Sequence, residues 1–103
     1  MKQSQTRQLP SSIDVEYGGW IKSRVILTSA VPKIAEKYNL TPAMIREMGK
    51  YAGDYPIANM QMVKALVKRG IMKPMDEREP DGGHDFTALG RRLCSQMFAV
   101  IRK

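Results

Sequence analysis

The sequence predicts a mainly α domain carrying one small β-hairpin, and three observations predict it. Apolar residues recur at three- and four-residue steps over most of the chain from Ile13 to Ala52. Met60, Val63, Leu66 and Val67 share one face of a helix expected over 56–69, which Gly70 stops. Directly after it, Lys68-Arg69-Gly70-Ile71-Met72-Lys73 leads into one short arm and Asp85-Phe86 starts another, around the turn Asp81-Gly82-Gly83-His84. Two adjacent glycines suit the positive φ of such a turn.

The elements follow in order. Residues 1–12 are polar and closed by Leu9-Pro10-Ser11-Ser12, which reads as a flexible N-terminal arm. Residues 13–103 then form a single domain, a length that supports one modest core. From Ile13, the residues Tyr17, Trp20, Ile21, Val25, Thr28, Val31, Ile34, Ala35 and Tyr38 give one helical stripe. Gly18-Gly19 weakens its start, and Pro32 divides it or opens a second helix. Thr41 is a suitable N-cap and Pro42 a suitable first residue for a helix over 43–52 that Gly53 ends. Ala35, Leu40 and Ile45 fit the small and branched contacts of two crossing helices, with Asn39 in the turn between them. Thr87 can cap a last helix over 88–103, with Leu89, Leu93, Met97, Val100 and Ile101 on one stripe.

Charge bears on function. Lys and Arg number 17 against 10 Asp and Glu, a net charge of +7 that suits a polyanion, nucleic acid first. Half of the acids (Asp76, Glu77, Glu79, Asp81 and Asp85) lie in the hairpin, so a basic body carries one acidic loop. The single cysteine, Cys94, rules out an intrachain disulfide and reads as a buried or interface thiol. No apolar run is long enough to span a bilayer, and the first residues lack a signal-peptide core, so a cytoplasmic protein without a membrane partner is expected. His84, the only histidine, lies in a turn, and no phosphate-cradling loop, nucleophile–base pairing or metal-ligand cluster accompanies it. The chain is therefore not expected to be an enzyme or to hold a cofactor or metal.

Leu66-Val67-Lys68-Arg69-Gly70-Ile71-Met72, the charged hairpin with Asp81-Gly82, and Phe86-Thr87-Ala88-Leu89-Gly90-Arg91 together resemble the winged helix-turn-helix regulators of the MarR and PadR type. The resemblance covers about residues 40–92, and Leu40-Thr41-Pro42 is similar to the segment that opens their domain. It implies a winged helix-turn-helix with extra N- and C-terminal helices, and a homodimer that binds double-stranded operator DNA as a repressor or autoregulator. The recognition helix would be 56–69. Gln61 would read a base edge, with Ala58 and Met62 beside it; Lys64, Lys68, Arg69, Thr41 and Lys50 would touch phosphate. Arg78 and His84 would be the wing residues, and Trp20, Leu93, Met97 and Ile101 the dimer interface. The hairpin departs from the family pattern, since its carboxylates repel phosphate. That departure keeps open an alternative from another class: a small inhibitor or adaptor that binds another protein through an acidic wing and a basic body. Binding to RNA or to DNA without sequence preference is a third reading.

Overall fold

A computed structural model describes residues 9–103. Its first two elements are strands, β1 (Ser12–Tyr17) and β2 (Trp20–Leu27), where the sequence stripe predicts helix. Gly18 and Gly19 turn the chain between them at φ +62° and +81°, the left-handed pair that a two-residue hairpin turn requires. The side chains follow the alternation of a strand rather than a helical face. Ile13, Val15, Ser23 and Val25 point inward, whereas Asp14, Glu16, Arg24 and Ile26 point outward. The apparent helical spacing of Tyr17, Ile21 and Val25 mixes the two faces of this hairpin, and β-branched Val15, Val25 and Ile26 favour the extended form.

Four helices and three further strands follow: α1 (Val31–Tyr38), α2 (Pro42–Ala52), α3 (Met60–Lys68), β3 (Met72–Pro74), β4 (His84–Phe86), α4 (Ala88–Met97) and β5 (Phe98–Arg102). Pro32 lies in the first turn of α1, where a missing N–H costs nothing. Asn39 ends α1 at φ 55°, and Gly70 follows α3 at φ 73°; in both turns the next residue's N–H bonds back five residues, from Leu40 to Ala35 and from Ile71 to Leu66. The last helix is shorter than its sequence stripe. It ends at Met97, and the chain continues as β5, pairing antiparallel with β2 from Leu27↔Phe98 to Ser23↔Arg102. The result is a three-stranded sheet in the order β1-β2-β5, with β3 and β4 as a separate two-stranded hairpin. The architecture is thus α+β rather than mainly α: an N-terminal hairpin replaces the expected N-terminal helix, and the expected C-terminal helix is shortened to α4, its last residues forming a strand of the same sheet. Of the expected N-terminal arm, residues 1–8 lie outside the described residues; Leu9 packs against the core and Ser12 already belongs to β1.

The sheet lies on α2. Gly49 and Gly53 stand one turn apart on the side of α2 that meets it, and this contact has no room for side chains. A Cβ on Gly49 would come within 3.1 Å of Ile13, and one on Gly53 within 2.5 Å of the Ser23 hydroxyl and 2.7 Å of Val15. Ser23, the one buried polar residue among those described, donates its hydroxyl to the Gly53 carbonyl at 2.9 Å. Val15, Val25, Leu40, Ile45, Met48, Val63, Leu66, Ile71 and Met97 complete a single core.

Gly53→Ala forces that interface apart and is expected to cost about 1–3 kcal/mol, the usual scale of overpacking. Ser23→Ala leaves a buried carbonyl without its donor and is expected to cost roughly 1 kcal/mol. Urea unfolding of the two variants checks both, and an unchanged midpoint for Gly53→Ala contradicts the close approach.

Candidate nucleic-acid interface

The helices α1, α2 and α3 are followed at once by the β3–β4 hairpin, and α2 packs against α3. Thr41, expected to touch phosphate, holds its hydroxyl at the start of α2. The oxygen accepts from the Met44 N–H at 3.2 Å and caps α2. Lys50, in the last turn of α2, lies 3.4 Å from Glu47 and over the Tyr55 ring at 5.5 Å, so its charge is shared before any phosphate arrives.

The helix α3 starts later than the sequence reading places it, at Met60 rather than Pro56. The cap is Asn59, whose side chain accepts from the Met62 N–H at 3.3 Å. The Asn59 N–H in turn donates to the Tyr51 hydroxyl at 2.9 Å, which ties the start of α3 to α2. Asn is a common cap residue and could have been read from the sequence, but Pro56 offered an equally good helix start. Ala58, expected at a base edge, therefore sits in the loop, lining a cleft of ≈ 410 Å³ between that loop and the hairpin. Met62, the other neighbour expected beside the base reader, is half-buried and packs against the core.

Gln61, Lys64 and Lys68 are exposed on the outer face of α3, opposite the buried Val63 and Leu66. Arg69 has a different role from the phosphate contact expected of it. Its guanidinium donates to the carbonyls of Tyr38 at 3.1 Å, Ala65 at 2.8 Å and Asn39 at 3.0 Å. It thus fastens the end of α3 to the C-terminus of α1, where a cation meets the negative end of the helix dipole.

The hairpin bends its acidic tip toward α3: Asp81 lies 3.4 Å from Lys64. Both groups are exposed, so the pair contributes at most about 1 kcal/mol, but it sets a carboxylate beside the outer face of α3. Arg78 is exposed and pairs with Asp76, and His84 donates from Nδ1 to the Gly82 carbonyl at 2.9 Å inside the turn. Asp85 pairs with Arg91 at 2.8 Å. No spacing in the sequence signals the Asp81–Lys64 approach, which depends on how the hairpin leans. Of the expected interface residues, Leu93 and Met97 are buried in the chain's own core, whereas Trp20 and Ile101 are exposed on the sheet. The stripe of Leu93, Met97 and Ile101 is divided between α4 and β5, and Trp20 lies in β2.

Among the described residues, no group of three His, Cys, Asp or Glu side chains is placed to hold a metal ion, and no helix is long and apolar enough to cross a membrane. Comparison with protein-family models, with curated proteins and with solved structures gives no match to this chain.

Burial pushes the Cys94 thiol up to about 12 from its ordinary 9.0, and it pushes the Tyr51 hydroxyl up to about 12 from 10.0 against the opposing hydrogen bond from Asn59. The folded chain therefore keeps two protons that the unfolded chain releases. The stability that these two groups contribute is present below pH 9 and is lost as the pH rises from 9 toward 12. Urea midpoints measured across this range check the direction, and Cys94→Ala is expected to flatten the early part of the decline.

Proposed function

We propose that the protein is a sequence-specific, dimeric DNA-binding regulator, a repressor or autoregulator of the cytosol, that lays α3 in the major groove. The observation that carries this reading is the outer face of α3. Gln61, Lys64 and Lys68 are exposed there on a helix held at one end by the Asn59 cap and at the other by Arg69. Gln61 suits a bidentate contact to adenine, and the two lysines suit flanking phosphates. The short motifs resembling MarR- and PadR-type regulators, and the net charge of +7, support the same reading. In this arrangement Ala58, Met62, Thr41 and Arg69 serve the scaffold, and Lys68 takes the main phosphate contact.

For the dimer, the outer face of the sheet is the surface that suits a second copy. The strand register sets Ile21, Ile26, Ala99 and Ile101 on one side of it, next to the Asp14–Arg24 pair at 2.8 Å. Ile26 and Ile101 are 38% and 50% exposed, and the far edge of β5 pairs with no strand among the described residues. Ile101→Glu is expected to convert a dimer in sedimentation velocity to a monomer with little loss of thermal stability; a wild-type chain that sediments as a monomer removes this part of the proposal.

A gel shift with DNA from upstream of the protein's own gene, at ~50 mM salt where phosphate contacts are strongest, tests the main reading. Gln61→Ala is expected to weaken the preferred sequence by about 1–3 kcal/mol and to relax its preference. Lys68→Gln should weaken all sequences alike and lower the salt slope by about 1. Asp81→Asn should strengthen binding, since it removes a carboxylate from beside the groove and frees Lys64. Absence of any retarded DNA at that salt would sink the reading.

One observation favours a second reading, a small adaptor or inhibitor that binds a basic protein surface. Glu77 and Glu79 are exposed and have no ion-pair partner among the described residues, so the hairpin carries uncompensated negative charge. Loss of biological activity in Glu77→Gln/Glu79→Gln with DNA binding unchanged would select it.

A further inference from the structure

Folding brings together residues that lie far apart in the chain at the tip of the β1–β2 hairpin. Tyr17 meets Tyr55 edge to face, with ring centroids 6.4 Å apart and planes at 81°. Lys22 lies over the Tyr17 ring at 5.9 Å, and Lys50 over the Tyr55 ring at 5.5 Å. The Lys103 N–H donates to the Lys22 carbonyl at 3.1 Å, so the last strand ends beside the same tip, and Arg102 pairs with Asp54 at 3.3 Å. Lys22 and Lys103 have no carboxylate within ion-pair distance among the described residues. Trp20, the only tryptophan, is 77% exposed at the turn, and Tyr17 is 45% exposed.

The tip also has a fixed position relative to the reader helix. Tyr55 belongs to the short loop that leads from α2 to Asn59, the cap of α3. The Tyr17–Tyr55 contact therefore holds the hairpin tip at the N-terminal approach to α3. A helix entering a major groove leaves the elements at its approach against the sugar–phosphate backbone that borders the groove. Exposed aromatic rings interleaved with unpaired lysines have the chemistry that such a backbone and the adjoining base or sugar faces require.

The geometry points to the β1–β2 tip as a second DNA contact, a wing packed on the same Tyr55 loop that lines a cleft with the acidic β3–β4 hairpin. In it Lys22 and Lys103 take phosphates flanking the site of α3, and Trp20 lies against exposed sugar or base faces. This inference rests on the DNA-binding reading above and supplies what the acidic hairpin lacks: a cationic flank beside the reader helix. The charge of the tip favours DNA over an apolar protein groove, because its cations stand among the exposed rings.

Trp20 is its own probe. The intact protein is titrated with an unlabelled duplex of the upstream DNA while Trp20 emission is followed; in parallel, a dye-labelled copy of the duplex reports binding by anisotropy. The expected result is quenching of Trp20 with the same midpoint as the anisotropy rise. Lys22→Gln/Lys103→Gln, both at exposed positions, should then bind roughly 10-fold more weakly at low salt, with the salt slope lower by about 2. An anisotropy rise with unchanged Trp20 emission, or unchanged affinity in the double variant, overturns the second contact and leaves the α3 reading standing. No anisotropy rise overturns both. A blue shift of Trp20 on vesicles containing phosphatidylserine, without any response to DNA, overturns the inference in favour of a membrane surface.

Discussion

The contact of α2 with the three-stranded sheet is the constraint on which the rest of the structure depends. Gly49 and Gly53 let the backbone of α2 come down onto Ile13, Val15 and Val25, and Ser23 completes the approach by donating to the Gly53 carbonyl. That carbonyl belongs to the group of orphan acceptors at the end of a helix, and one buried hydroxyl serves both helix end and sheet. The turn toward α3 starts at the same point, with Asp54 in the left-handed region at φ 69°. The position of α3 is thus set by backbone proximity at α2 and then fixed at two further points, Tyr51 with Asn59 and Arg69 with α1. The base contact proposed for Gln61 would need such a mounting, since small displacements cost hydrogen bonds.

Local chemistry made the middle of the chain legible. Pro32, Thr41, Pro42, Asn39, Gly70 and Thr87 each act within one turn of their own position, and each stands where its conformational preference is used. The ends of the chain were misread because their structure is decided at long range. Trp20–Leu27 is a strand because Ser12–Tyr17 lies on one side of it and Phe98–Arg102 on the other. A helical stripe and a strand alternation can share residues such as Tyr17, Ile21 and Val25, and only the partner strands separate them. Gly18-Gly19, a turn signal, and β-branched Val15, Val25 and Ile26 are the local clues, which the apolar stripe outweighs. In the candidate site, the outward position of Gln61 and Lys68, with Lys64 at the margin, follows from helical spacing alone. The capture of Arg69 by Tyr38 and Asn39 did not, since those carbonyls lie some 30 positions back in the chain.

The distribution of charge has a similar origin. Read linearly, a basic body carries an acidic loop. In three dimensions much of that loop acts as counter-ion to the chain's own cations: Asp76 to Arg78, Asp81 to Lys64 and Asp85 to Arg91. Each of these pairs is exposed and weak, so their effect is on the field around α3 rather than on stability. The acidic hairpin and the aromatic, lysine-bearing tip of β1–β2 both border the loop that leads to α3, so opposite charges lie close together there.

The sheet order β1-β2-β5 also bears on how the chain reaches this structure. Everything from Thr28 to Met97, including the whole helical unit, is enclosed between the two partners β2 and β5. Closing that long loop costs chain entropy before any β5 contact returns it, so sheet completion is a late and slow event. A chain emerging from the ribosome can form the β1–β2 hairpin and individual helical turns, but the inner face of the sheet stays partly open until Phe98 arrives. The helix α2, and with it α3, is therefore firmly seated only after the final strand has docked.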